Sequence, residues 1–123
     1  MIIDSHAHLG VDRVFDEVRT EDDIIKVMEE NNIDATIVQP MFGTIDPEGI
    51  KALHDRIYKF TQDYPRKIFG MISMPPLIGD EFYFNESKRC VENLGFVGLK
   101  IHPAAHPVAP GSKVGGMVWK TCS

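Results

Sequence analysis

The chain has few cysteines, no long apolar run and no cluster of basic residues. Two cysteines in 123 residues, Cys90 and Cys122, are too few for a disulfide-stabilised secreted scaffold, so we expect both thiols to be reduced. No apolar stretch approaches the ~20 residues that a membrane span needs. Residues 1–5 enter an apolar strand without the charged segment that opens a signal peptide. We therefore expect a cytoplasmic protein that has no membrane partner.

The charge balance argues against a nucleic-acid partner. Thirteen Lys and Arg residues face eighteen Asp and Glu residues, which leaves a formal net charge of −5. The basic residues are scattered along the chain, whereas a nucleic-acid interface needs them clustered on one face. The length predicts one domain over residues 1–123. Because neither a membrane nor a nucleic-acid partner is expected, the expected ligand is a small molecule.

Four apolar segments of strand length alternate with four amphipathic helical segments. The strands are predicted at residues 1–5, 35–38, 68–73 and 96–101. Thr20 is the predicted N-cap of the first helix, and Asp46 followed by Pro47 opens the second. Alternating strands and helices predict parallel βαβ units of an α/β fold. Four such units fit an open doubly wound sheet or half of a (β/α)8 TIM-type barrel.

The first candidate site is the segment from Asp4 to His8. Side chains alternate along a strand, so His6 and His8 point to the same side, and Asp4 shares their parity. Two imidazoles at this spacing can bind one divalent ion, and imidazole suits Zn and similar cations. Asp4 would accept a hydrogen bond that holds an imidazole in orientation. We expect this strand to end at the histidine pair.

The second candidate site follows the fourth strand. Gly98, Lys100 and His102 share one face, which would be the barrel interior, while the alternate residues face the helices. A buried Lys is costly without a partner. Lys100 would pair with a carboxylate such as Asp4, contact an anionic substrate, or be carbamylated as a metal bridge. We expect Lys100 and His102 to bind substrate.

Other polar residues are weaker candidates. The segments 39–42 and 73–75 follow the second and third strands and could line a pocket. His54 lies in the second helix and is expected to be exposed and not a ligand. His106 lies in the loop after the fourth strand and is expected at the surface.

Two motifs resemble the amidohydrolase-related metal enzymes. Ile3-Asp4-Ser5-His6-Ala7-His8-Leu9-Gly10 resembles their opening strand, and Gly95 to Pro103 (GFVGLKIHP) resembles their fourth strand. The resemblance runs from Ile2 to about Thr121. The most similar branch includes aminocarboxymuconate semialdehyde decarboxylase and related hydrolases, hydratases and lactonases.

The resemblance implies a (β/α)8 barrel with a metal ion, most simply Zn, at its mouth. His6 and His8 match the two ligands of strand one, whereas the ligands of strands five and eight have no counterpart here. It implies a metal-dependent hydrolase truncated to about the first four βα units, inactive alone. The truncation would be a gene fragment, a cloned piece of a longer gene, or one half of an assembly.

Two other interpretations remain open from the sequence, and a third is disfavoured. A carboxy-lyase or hydratase of the same superfamily would act on a carboxylated small molecule. A half-barrel could instead bind metal or a partner without turnover, as a homo-oligomer or with a complementary half-barrel. Phosphoesterases of the polymerase and histidinol phosphatase class also open with His-x-His, but the Gly-Leu-Lys-Ile-His-Pro strand argues against them.

Overall fold

A computed structural model describes residues 1–12, 16–41, 46–102, 106 and 108–123. The strands are β1 (Ile3–Asp12), β2 (Glu17–Arg19), β3 (Ala35–Pro40), β4 (Ile68–Gly70), β5 (Ile72–Ser73) and β6 (Leu99–Lys100). The helices are α1 (Glu21–Glu30), α2 (Pro47–Asp63), α3 (Asp80–Glu92) and α4 (Lys113–Thr121), with a 3₁₀ turn at Pro76–Ile78. The predicted alternation of parallel strands and helices is confirmed.

The strands form an open, mostly parallel arrangement that follows chain order. β1 pairs in parallel with β3, and β3 pairs in parallel with β4. β5 pairs in parallel with β6, and backbone hydrogen bonds cross the break at Met71, whose N–H donates to the Val38 carbonyl. This succession of neighbouring parallel strands matches part of a TIM-like barrel, but the described strands do not close into one.

Two of the helix starts form as predicted. The Thr20 side chain accepts a hydrogen bond from the Asp23 N–H, and the Asp23 carboxylate accepts one from the Thr20 N–H, so α1 begins with a capping box. The Asp46 side chain accepts a hydrogen bond from the Gly49 N–H, with Pro47 in the first turn of α2. Both caps satisfy backbone donors that have no partner within the helix.

The core lies between the parallel strands and the helices. It consists of strand residues Leu9, Val38, Ile68 and Ile72, helix residues Ile24, Met28, Ile57, Phe60, Tyr83 and Cys90, and neighbours such as Met74 and Phe96. The absence of a side chain at Gly70 is required because a Cβ atom there would overlap the ring of Phe96. One face of the strands therefore packs against the helices, and side chains on the opposite face are available for the candidate site.

Three predicted strand boundaries are wrong. β1 does not end at the histidine pair but continues to Asp12, where residues 10–12 pair antiparallel with β2. The predicted third strand is divided at Met71 because its two halves pair with different neighbours. The fourth strand is confined to Leu99–Lys100. Within the described parts of the chain, no helix is long and apolar enough to cross a membrane.

Candidate metal centre

The side chains of His6 and His8 lie together, as their spacing on β1 predicts. Their Nε2 atoms are 2.8 Å apart, and their ring centroids are 4.8 Å apart. Two nitrogen ligands at about 2.0–2.1 Å from one ion would lie about 2.9–3.4 Å apart at bond angles between 90° and tetrahedral. The two imidazoles are therefore spaced as ligands of a single ion after a shift of a few tenths of an ångström.

The main chain of β3 selects which nitrogen of His8 is available. His8 Nδ1 lies 3.3 Å from the Pro40 carbonyl oxygen, which can only accept, so the proton belongs on Nδ1 and the lone pair on Nε2. A histidine that donates one N–H to a carbonyl and binds an ion through the other nitrogen is a recurrent ligand arrangement. Burial, followed by the charges of His6 and Lys100, lowers the pKa of His8, although the hydrogen bond to Pro40 raises it. The neutral ring that metals bind is thereby favoured.

Asp4 contacts the main chain next to the pair. Its Oδ1 accepts a hydrogen bond from the His6 backbone N–H at 3.0 Å. The pairing of β1 with β3 shifts register between Asp4 and Ala7, as in a β-bulge. A bulge redirects the side chains that follow it, so Asp4 stabilises the backbone that orients His6. Its predicted hydrogen bond to an imidazole stays a prediction.

Lys100 faces the histidine pair, in agreement with the strand parity. Its Nζ lies 3.3 Å from both Nδ1 and Nε2 of His6, and its side chain is half-buried. Burial and then Lys100 are the largest causes that lower the pKa of His6. Among the described residues, the partner of Lys100 is this imidazole, and no carboxylate, Asp4 included, forms an ion pair with it. The ammonium group can therefore receive an anion beside His6.

Two hydrogen bonds join His102 and His106 after β6. The His102 N–H donates to His106 Nδ1 at 3.2 Å, and the His106 N–H donates to the His102 carbonyl at 2.7 Å. His106 is 1% exposed, so its predicted surface position is wrong. Burial, followed by the charges of His102 and Lys100, lowers its pKa to about 4. His102 is half-buried, and its charge also lowers the pKa of His6 and His8, as expected for a group at the same site.

The prediction that His54 is exposed is also wrong. His54 is fully buried, and its Nδ1 lies 2.7 Å from Glu86 Oε1. Glu86 also accepts two hydrogen bonds from Arg89 at 2.7 and 2.8 Å, and Arg89 extends to Asp55 at 2.6 Å. His54 adjoins the apolar stripe of α2 (Ile50, Ile57 and Phe60), so helical periodicity signalled its burial. It did not signal the contact of His54 with Glu86 on α3.

The ligand-type atoms of His54, Glu86 and Cys90 lie within 4.8 Å of one another. Both oxygens of Glu86 are already hydrogen-bonded by Arg89, and one is also bonded by His54. An ion at this position would have to displace a guanidinium group. The cluster therefore has the chemistry of a buried ion-pair network that joins α2 to α3.

The histidine pair borders a cavity of ligand size. The cavity measures about 410 Å³ and lies between β1 and α1, with His6, His8 and Met41 among its lining residues, whereas Lys100 and His102 do not line it. Small-molecule sites commonly have volumes of about 300–1,000 Å³. Met41 was among the predicted pocket residues and does line the cavity, whereas Phe42 lies outside the described residues. Gln39, from the same group, is buried with its amide nitrogen 3.4 Å from His8 Nε2.

Comparison with solved structures shows the same fold in three decarboxylases. The 2,6-dihydroxybenzoate decarboxylase from Rhizobium has a TM-score of 0.71 at 16% identity, over 98% of this chain and 47% of that chain. The Novosphingobium aromaticivorans 5-carboxyvanillate decarboxylase, complexed with manganese and 4-hydroxy-3-methoxy-5-nitrobenzoic acid, has a TM-score of 0.77 at 14% identity. The match covers 98% of this chain and 47% of that chain. The Sphingomonas paucimobilis 5-carboxyvanillate decarboxylase has a TM-score of 0.73 at 13% identity, over 98% of this chain and 48% of that chain.

The chain spans about half the length of these structures. A comparison with curated proteins found no significant match. The family model described as amidohydrolase matches residues 3–120, which is nearly the whole chain. The resemblance of the two strand motifs is thus confirmed, and the chain belongs to the amidohydrolase family.

Proposed function

We propose that this chain supplies the metal-binding and carboxylate-binding part of a metal-dependent enzyme that acts on a small carboxylated molecule. The observation that carries the proposal is the meeting of three side chains: the Nε2 atoms of His6 and His8 lie 2.8 Å apart, and Lys100 Nζ lies 3.3 Å from the His6 ring. Paired neutral imidazoles bind a divalent cation, and an ammonium group beside them binds an anion.

The residues divide the chemistry between them. When bound, a divalent ion polarises a substrate oxygen and stabilises negative charge that develops as a bond breaks. Lys100 binds the substrate carboxylate and orients it toward the histidine pair. His102, whose charge acts on both His6 and His8, contacts the substrate or exchanges a proton with it. The Pro40 carbonyl holds the His8 ring, and Asp4 holds the His6 backbone.

Decarboxylation is the reaction that we favour over hydrolysis. The solved neighbours are decarboxylases, and one of them was crystallised with a substituted benzoic acid. The positive charge of Lys100 complements the negative charge of a carboxylate, whereas a neutral ester or amide has no charge to be complemented. The sequence alone favoured hydrolysis, which the family description also includes. Zn suits the imidazoles, while manganese occupies the Novosphingobium neighbour, so both ions belong in the test.

We further propose that the domain over residues 1–123 works as a half-barrel whose site is completed by further βα units. The described site contributes two imidazoles, whereas catalytic Zn sites use three protein ligands and a water. The remaining ligands and the general base would come from βα units outside residues 1–123, whether these lie on the same protein or on another chain. Without them the chain binds metal and substrate but does not turn over.

We predict that the chain self-associates through its lateral edges. Exposed apolar side chains lie at the β1 and β2 edge (Ile3, Val18) and along a groove of about 660 Å³ beside α3 and β6 (Phe84, Val91, Val97). Contiguous apolar surface of this kind favours association. Sedimentation equilibrium should give a mass above one chain at micromolar concentration. The pair Val91→Glu/Val97→Glu should shift it toward the monomer.

Leu77→Glu is the matched control because Leu77 is 62% exposed and lies outside that groove. It should leave the association unchanged. A chain that sediments as a monomer with or without the groove substitutions would contradict the proposed half-barrel edges.

We predict that Lys100 carries the affinity for a carboxylate. In calorimetric titrations with 2,6-dihydroxybenzoate and excess Mn²⁺ or Zn²⁺, Lys100→Met should weaken binding about tenfold or more, the usual worth of a hydrogen bond to a charged group. Lys120→Met, on the exposed end of α4, should not change it. Assays of CO2 release should show no turnover by the chain alone. Equal binding by Lys100→Met, or hydrolysis of neutral esters by the chain, would overturn the proposed function.

A further inference from the structure

We infer that the side-chain amide of Gln39 supplies a third donor, its Oε1 atom, to the ion held by His6 and His8. The inference deepens the proposed function and rests on the proposed metal site. Gln39 stands opposite His8 in the parallel register of β1 and β3. It is 2% exposed, and its amide nitrogen lies 3.4 Å from His8 Nε2. The strand pairing thus fixes this amide beside the candidate ligand atom.

Two polar groups lie beside His8 Nε2. His8 Nδ1 is directed to the Pro40 carbonyl, so the lone pair of His8 is on Nε2. His6 Nε2 and the Gln39 amide both lie against that nitrogen, at 2.8 and 3.4 Å. Ligand atoms of a single ion are separated by about 2.9–3.4 Å when metal–ligand bonds are about 2.0–2.1 Å long. The amide end of Gln39 therefore lies at the distance from His8 that a further ligand atom would have.

The amide presents its nitrogen at this point, while its oxygen has no partner. Gln39 Oε1 is buried and has no hydrogen-bond partner among the described residues. A buried acceptor without a partner is costly, because it has lost its hydrogen bonds to water. An amide N–H is repelled by a cation, whereas an amide oxygen is a cation ligand. Rotation of the amide by half a turn brings Oε1 to the histidine pair and gives it a partner.

An oxygen donor would also change the preferred metal. Two imidazoles alone favour Zn, whereas carbonyl and carboxylate oxygens suit Mn and other hard cations. A set of two imidazoles and one amide oxygen should bind Mn²⁺ better than the imidazole pair alone. The contribution of Gln39 should thus be larger for Mn²⁺ than for Zn²⁺, which a purely structural role for this buried side chain does not predict.

The test is calorimetric titration of the chain and its variants with MnCl2 and with ZnCl2. Gln39→Glu replaces the amide oxygen by a charged one and should tighten Mn²⁺ binding about tenfold. Gln39→Met keeps the length of the side chain without an oxygen and should weaken Mn²⁺ binding about tenfold, and Zn²⁺ binding less. Gln62→Glu, an exposed position on α2, adds the same charge away from the site and should change neither.

The outcomes separate the inference from the site on which it rests. If His6→Ala removes binding but neither Gln39 variant changes it, the metal site stands and the inference is wrong. If His6→Ala leaves binding intact, the proposed site fails and the inference fails with it. Because a buried carboxylate can destabilise the apo chain, the rise in melting temperature on adding Mn²⁺ is measured as well. That rise should be larger for Gln39→Glu and smaller for Gln39→Met than for the parent, and equal rises overturn the inference.

Discussion

Replacement of both His6 and His8 by Ala should abolish measurable binding of Zn²⁺ and Mn²⁺. Their Nε2 atoms face each other at 2.8 Å, so the double variant removes both nitrogens that are spaced for one ion. Structural zinc sites with four ligands have binding free energies of about 10–16 kcal/mol. Divided by four, this is about 3 kcal/mol for each ligand, or roughly a hundredfold in affinity. Each single variant should therefore lose about two orders of magnitude in a calorimetric titration, and the double variant should show no heat of binding.

The matched control targets the other group of ligand-type atoms. His54→Gln/Cys90→Ala removes two of the three members of the buried cluster on α2 and α3, while the introduced amide can still donate to Glu86. This variant should bind metal with the affinity and stoichiometry of the parent because Arg89 already occupies the oxygens of Glu86. The reverse result, binding lost in the control and kept in the His6 and His8 variants, would move the metal site to the helices.

The histidine pair could be predicted from the sequence because it depends only on strand parity. Residues two apart on a strand share a side whatever the neighbouring strands do. Lys100 faced the same site for the same reason, on a strand of only two residues. Strand parity alone could not predict the position of Gln39, because its distance from His8 depends on the register of β1 against β3. That register contains a bulge that no pattern in the sequence marks.

The errors concerned interactions between segments distant in the chain. The extension of β1 depends on the antiparallel contact with β2, whose three exposed residues carry no strand pattern. His106 is buried and hydrogen-bonded to the His102 backbone, a contact that sequence spacing does not reveal. His54 is a different case, since it adjoins the apolar stripe of α2 and its partner is 32 positions away. Its burial was readable from the periodicity, but its ion pair was not.

Removal of the Glu86 carboxylate should strongly destabilise the chain. His54 and Glu86 are 0% and 1% exposed, and Glu86→Ala would leave His54 and one face of Arg89 without their partner. Breaking a buried ion pair from one side typically costs about 3–5 kcal/mol, a large share of the stability of a small domain. Urea unfolding followed by circular dichroism should show this loss in the free energy of unfolding.

Glu92→Ala is the matched control on the same helix. Glu92 pairs with Lys88 at 3.9 Å with both side chains more than half exposed, and such pairs contribute about 0.5 kcal/mol or less. If Glu86→Ala leaves too little folded protein to measure, Glu86→Gln, which keeps an acceptor for His54, should give an intermediate loss. Losses of similar size for Glu86→Ala and Glu92→Ala would contradict a stabilising role for the buried network.

The pH dependence of that loss provides a second signature of the same pair. Burial raises the pKa of Glu86, but the hydrogen bonds and charges of His54 and Arg89 outweigh it and hold the pKa at about 2, below the ordinary value of 4.5. A carboxylate with a lowered pKa in the folded state stabilises fully above its unfolded pKa, and this stabilisation is lost as the pH falls toward the folded value. The part of the difference in unfolding free energy between the parent and Glu86→Ala that depends on the Glu86 charge should thus shrink as the pH falls from about 4.5 to about 2.5. A difference that stays constant through this window would mean that the charge of Glu86 does not stabilise the fold.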